Sequence, residues 1–191
     1  MDAFDLGPAT ATVRELLASV TDEQLALPTP CAEYTVGDLV EHIGGLSQAF
    51  AGAARKAPLP GAEQGGHGDA SRLEEGWRER IQGDLADLAV AWQEDGAFDG
   101  TTKAGPFDMP APEAAAVALN EVVVHGWDLA TALGLPYAVR DEDVAACLTF
   151  AEPFSTPEAQ EMRAPGFGPV VPVPDDATPL VRLLGLMGRR A

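Results

Sequence analysis

Only three histidines occur in the chain: His42, His67 and His125. His125 follows Glu121 by four residues, so a helix would place the two about 40° apart and within side-chain reach. Val117, Val124 and Leu129 share that face. A carboxylate among valines is costly to bury unless it is paired or coordinates a metal. With His42 on a second helix, Glu121 and His125 can supply three ligands to Zn²⁺ and leave the fourth position to water or substrate, the open arrangement of a catalytic site. The same residues admit a plainer arrangement. In it Glu121 and His125 pair with each other, and His42 is a core histidine bonded to a backbone carbonyl. Glu and His four apart on a helix recur by chance, so the spacing leaves both readings open.

The residues nearby sort by face. Asp128 lies three residues after His125 on the same side of the helix, suited to orienting its imidazole or to serving as a distant ligand. Glu41 points about 100° away from His42 and is expected in solvent. Asp38 shares the His42 face, but capping the helix that starts at Thr35 already accounts for it. His67, within GGHGD, reads as a surface histidine in a glycine-rich loop, with a lid ligand as the alternative. Trp127 reads as core or pocket wall. Cys31 reads as a small buried thiol, since no basic residue stands beside it to lower its pKa. Arg55, Arg78 and Arg80 could meet an anionic substrate, with nothing local to favour one of them.

The elements that must position these groups are helical. Val13, Leu16, Leu17 and Val20 recur at helical steps over about Pro8 to Val20. A second helix runs from Thr35 to about Lys56, with Val36, Leu39, Val40, Ile43, Leu46 and Phe50 as its stripe. Gly44-Gly45 inside it costs roughly 1–2 kcal/mol against Ala-Ala, which predicts close approach by another backbone or a ligand. Ala57 to Ala70 reads as a loop too long for adjacent antiparallel helices and suited to a crossover along a bundle. A third helix is predicted from about Ser71 to Glu94. An irregular stretch follows from Asp95 to Pro110, with room for a hairpin at Gly100 or Gly105. A fourth helix, about Pro112 to Leu133, has Pro and Glu in its first turn and stops at Gly134, with Pro136 beyond. Asp141 to Phe154 reads as a fifth helix, PGFGPVVPVPDDATP as an extended stretch, and Ala177 to Met187 as a last short helix. The fold class is therefore all-α. A single domain spans residues 1–191, with a four-helix bundle over about 8–134 and a C-terminal extension over about 135–191.

Composition narrows the function classes. The 191 residues are 46% hydrophobic, which suits a globular core. Thirty acidic against twelve basic residues give a formal charge of −18. Such a surface repels phosphate backbones and anionic lipids, so nucleic-acid and membrane partners are not expected. MDAFDLGPAT has neither the basic region nor the apolar run of a signal peptide. No apolar stretch approaches the roughly 18 residues of a membrane span. Two cysteines, Cys31 and Cys147, make no disulfide framework. A cytoplasmic location is the expectation.

LPTPCAEYTVGDLVEHIGG, followed far downstream by NEVVVHGWDLATALG, resembles the mycothiol-dependent maleylpyruvate isomerase and DinB superfamily. The first segment ends in Leu-x-x-His, here Leu39 to His42. The second carries Glu-x-x-x-His-x-x-Asp, here Glu121, His125 and Asp128. The likeness spans roughly Pro8 to Gly134. It implies a DinB-like four-helix bundle with a long crossover between helices 2 and 3. It also implies a divalent metal, usually zinc with nickel as the other candidate, held by His42, Glu121 and His125. In thiol-dependent members the low-molecular-weight thiol is thought to be activated at that metal as a thiolate. The resemblance therefore implies a metal-dependent transferase or isomerase that uses mycothiol and a small electrophile. A non-catalytic metal-stabilised module and a metal-water hydrolase are the alternatives. The two-domain isomerases carry a further C-terminal domain where this chain has FGPVVPVPDDATPLVRLLGLMGRR, so their particular substrate is not carried over. A homodimer is compatible with the proline-rich wraps.

Overall fold

The computed structural model describes residues 4–60, 66–156, 159, 163 and 168–191. Its elements are α1 (Gly7–Ser19), α2 (Val36–Ala54), α3 (Trp77–Ala91), the strands β1 (Thr101–Ala104) and β2 (Phe107–Pro110), α4 (Ala111–Leu133), α5 (Asp141–Ala151) and α6 (Pro179–Leu186). Short 3₁₀ turns occur at Asp22–Gln24, Ala70–Arg72 and Glu152–Ser155. The molecule is mostly helical, as expected for a DinB-like fold, with one antiparallel hairpin as a minor extra.

α1 and α2 each pack against both α3 and α4, forming a four-helix bundle around Leu17, Leu39, Ile81, Leu85, Leu119 and Leu129. Ile81 lies against Gly44, Asp84 accepts from Gln48, and Asp87 pairs with Arg55. Ascending positions of α2 therefore meet ascending positions of α3, and the two helices run parallel. The chain must return along the bundle between them, as the length of the connection leads one to expect. α5 covers α4, and α6 packs on α5.

Local signals set the ends of the elements. Thr35 caps α2 in a reciprocal box with Asp38, whose carboxylate also accepts from the Ala70 amide at 2.8 Å. These hydrogen bonds, Thr35 foremost, hold the Asp38 carboxyl below its ordinary pKa. Gly134, at φ +68, closes α4 where a side chain would be strained. The hairpin turns at Gly105-Pro106, with Gly105 at φ +59. Its Thr102 hydroxyl donates to the Ala53 carbonyl, stitching it to the end of α2.

Three expectations need correction. The third helix starts at Trp77 rather than Ser71, because Gly76 adopts φ +79 and interrupts the helix there. Leu73 packs against the core from the preceding 3₁₀ segment. The fifth helix ends at Ala151, and its last turn tightens to 3₁₀ as Pro153 removes a donor. The close approach at Gly44-Gly45 comes from a side chain and reaches Gly44 alone. A Cβ on Gly44 would sit 2.9 Å from Ile81 Cγ1, whereas one on Gly45 would meet open space. The first part of the extended stretch, residues 165–167, lies outside the described residues.

The glycine pair should separate cleanly in denaturant titrations. Gly45→Ala should stabilise the protein by about 1 kcal/mol through helix propensity. Gly44→Ala should destabilise it by about 1–3 kcal/mol through overpacking of the fully buried Ile81. Equal responses would mean that α3 does not press on Gly44.

Candidate metal centre

α4 presents Glu121, His125 and Asp128 on one buried line, and α2 brings His42 to meet it. His125 Nε2 lies 3.1 Å from Glu121 Oε2, and His125 Nδ1 lies 3.0 Å from Asp128 Oδ2. The rings of His42 and His125 meet edge to face, with centroids 5.0 Å apart. Ligand atoms of His42, Glu121 and His125 all lie within 4.8 Å of one another. Two donors on one tetrahedral zinc sit roughly 3.4 Å apart, close to the separation of the His125 and Glu121 atoms. His42 Nδ1 is buried with no hydrogen-bond partner among the described residues, an expense that an apolar core does not normally carry. Donor type, spacing and this unpaired nitrogen all fit a cation.

Asp128 is fully buried and accepts from His125 through one face. Its other partner is Arg189, which follows α6. Arg189 Nε donates to Oδ1 at 3.2 Å and an Arg189 terminal nitrogen donates to Oδ2 at 2.8 Å. Burial resists charging Asp128, but the hydrogen bonds from His125 and Arg189 overcome it and hold the carboxyl below its ordinary pKa. Glu121 is governed the same way, with burial opposed by His125, His42 and Arg189.

A loop closes over the other side. The Gly68 amide donates to the Tyr34 hydroxyl at 3.1 Å, and the Tyr34 ring stands 5.2 Å from that of His42. A Cβ on Gly68 would collide with the Asp38 carbonyl oxygen, so only glycine lets the loop lie this close to α2. Glu41, expected in solvent, instead anchors this loop by pairing with Arg72 and accepting from the Asp69 amide. His67 is exposed, 6.3 Å from the Tyr34 ring, and is not part of the His42–Glu121–His125 group. Trp127 is half-buried on α4. Cys31 is a half-buried free thiol, near enough to feel Arg189, Asp128 and Glu121, and burial pushes its pKa up.

None of the three arginines proposed to meet substrate is directed to this cluster. Arg55 pairs with Asp87 and Glu94, Arg78 with Asp22, and Arg80 with Asp84. Sequence reasoning missed Arg189 and Tyr34. No local pattern marks Arg189, and Tyr34 was hidden in the run before the α2 cap.

The two imidazoles are held in opposite protonation states. Burial lowers the pKa of His42 from 6.5 to about 4, and the neighbouring His125 adds to the effect. For His125, burial is outweighed by the hydrogen bonds to Asp128 and Glu121, and its pKa rises to about 9. In metal-free protein, NMR titration should find these two values, and Asp128→Asn should lower that of His125. The folded state holds the His125 proton more tightly, so this stabilisation is complete below pH 6.5 and lost as pH rises through 9. For His42 the unfolded chain takes the proton first, so stability falls as pH drops from 6.5 towards 4. Denaturation of metal-free protein should thus show greatest resistance near pH 6.5, and two histidines titrating together near that value would contradict the geometry.

Two proteins of Mycobacterium tuberculosis, "Uncharacterized protein MT0763" of strain CDC 1551 / Oshkosh and "Uncharacterized protein Rv0738" of strain ATCC 25618 / H37Rv, are each 30% identical to the chain over 180 residues. In both cases the match covers 91% of this chain and 90% of the relative. No solved structure matches. Residues 6–130, which include His42, Glu121, His125 and Asp128, match the model of the mycothiol maleylpyruvate isomerase N-terminal domain, and the chain belongs to that family.

Proposed function

We propose that the protein is a metal-dependent enzyme that joins or transfers a small thiol, mycothiol by family, to a small electrophile. The reading rests on one observation: two imidazoles and a carboxylate, from α2 and α4, converge within 4.8 Å in a chain of this family. His42, Glu121 and His125 would hold the cation, with zinc favoured by two nitrogen donors and one oxygen donor. The cation, when bound, lowers the pKa of a coordinating thiol so that it reacts as a thiolate.

The protein's own groups prepare that event. Asp128 accepts from His125 Nδ1, which leaves Nε2 facing Glu121 and free to act as a ligand. Arg189 balances the charge of Asp128, so Glu121 is the one uncompensated anion and a divalent site keeps a net positive charge. That charge favours an anionic sulfur or carboxylate over a neutral group. Beside Glu121, the side chains of Ile43, Leu46, Phe50 and Val122 line a small, mostly apolar cleft. Transferase or isomerase chemistry follows from which carbon the sulfur meets and whether it leaves again. No helix among the described residues is long and apolar enough to cross a membrane. Two free cysteines suit the reducing cytoplasm, which is where we place the reaction.

Metal analysis of protein purified without a nickel column should find close to one divalent ion per chain. His42→Ala and Glu121→Gln should each weaken zinc binding by about 100-fold or more and abolish thiol-dependent turnover of an electrophile panel. Zinc affinity should rise by about tenfold per pH unit below pH 9, because His125 gives up its proton to bind. Full metal content in both variants would remove these residues from the site. Ester or amide turnover without thiol would favour a hydrolase. If thiol added to zinc-loaded protein releases no proton, the site is a metal-stabilised module without turnover.

A further inference from the structure

The C-terminal segment reaches the centre of the candidate site from outside the region that defines the family. α6 ends at Leu186, and Gly188, at φ +80, turns the chain back on itself. The Arg189 amide then donates to the Leu184 carbonyl at 2.8 Å, closing a Schellman-type turn. A Cβ on Gly188 would lie 3.0 Å from Gly168 Cα and 3.1 Å from the Pro169 carbonyl oxygen, so the turn is also packed too tightly for another residue. Leu183, Leu184 and Met187 are buried beneath it, and the Asn120 amide contacts Met187 Sδ at 3.4 Å. The turn aims Arg189 inward, where only 11% of its side chain is exposed.

Arg189 uses this position for a two-pronged grip on Asp128, and a third nitrogen donates to the Met187 carbonyl at 2.7 Å. Asp128 Oδ2 is shared between Arg189 at 2.8 Å and His125 Nδ1 at 3.0 Å. Once His125 gives up its Nε2 proton, a fully buried carboxylate bonded only to that neutral imidazole would lack a counter-charge, a costly state. We infer that Arg189 is a positioning residue: by fixing and neutralising Asp128 it holds the His125 ring with Nδ1–H inward and Nε2 towards Glu121 and His42. The planar guanidinium matters as well as its charge, because a lysine can match the charge but not the fork. The inference rests on the proposed metal reading only for its consequence for affinity. The hydrogen bond itself exists in metal-free protein.

The test compares Arg189→Gln, Arg189→Lys and Asp128→Asn, singly and with Arg189→Gln and Asp128→Asn combined. In metal-free protein labelled at histidine nitrogens, the His125 Nδ1–H resonance reports the hydrogen bond directly. Arg189→Gln should move it upfield and speed its exchange with solvent by about tenfold or more. Arg189→Lys should retain most of the downfield shift, which a loss of tail docking alone would not predict. In zinc-loaded protein, chelator competition should show about 10- to 100-fold weaker binding for Arg189→Gln. The double variant should be no weaker than Asp128→Asn alone, since Arg189 acts through Asp128. An unchanged Nδ1–H resonance in Arg189→Gln would overturn the inference, as would additive losses in the double variant. If Arg189→Gln unfolds, Arg189→Lys against wild type supplies the same reading, and identical resonance and affinity there would overturn the role of the fork. Wild-type protein that binds no zinc yet shows the Arg189-dependent resonance would sink the metal reading and leave the positioning role standing.

Discussion

Burying charge on α4 is the constraint around which the rest of the molecule is arranged. Asp128 is wholly inside, and Glu121 and His125 are nearly so. Each such group must find a partner or forfeit several kcal/mol on desolvation. The partners come from far apart in the chain: His42 from α2, Arg189 from beyond α6, and His125 from α4 itself. The cluster therefore ties the bundle to its C-terminal extension by electrostatics as well as by apolar contact. An ion at the three donor atoms would complete the same compensation.

Parallel packing of α2 on α3 also serves the cluster. It sends the connecting segment back along α2, where Asp38 and Glu41 hold it by its amides and by Arg72. Tyr34 then joins that segment to the His42 side of the site through the Gly68 amide. The N-terminal cap of α2 is thus both a helix signal and an anchor for the covering loop.

Much of this could be read from residue order. α2 and α4 were legible because caps, glycine stops and apolar spacing agree, and the grouping of Glu121, His125 and Asp128 followed from helical period alone. That His42 meets them across the bundle is tertiary information, which the spacing left open and the resemblance implied. The start of α3 was misplaced because Leu73 continues the apolar spacing while Gly76 interrupts the backbone. Arg55, Arg78 and Arg80 were drawn to nearby carboxylates that an acidic chain supplies in excess. Arg189 was illegible because it lies 61 residues from Asp128 and its inward aim depends on a turn that packs against Gly168. Gly45 fills no tight space, and nothing in the structure explains its presence.

The Schellman-type turn at Gly188 has a consequence for biosynthesis. On the ribosome, Glu121, His125 and Asp128 emerge well before Arg189, so the growing chain carries a carboxylate without its guanidinium. Until that turn folds back, Asp128 has His125, one turn away on α4, as its partner and lacks the guanidinium. Full compensation of Asp128 thereby waits for the folding of a turn whose arginine lies 61 residues downstream.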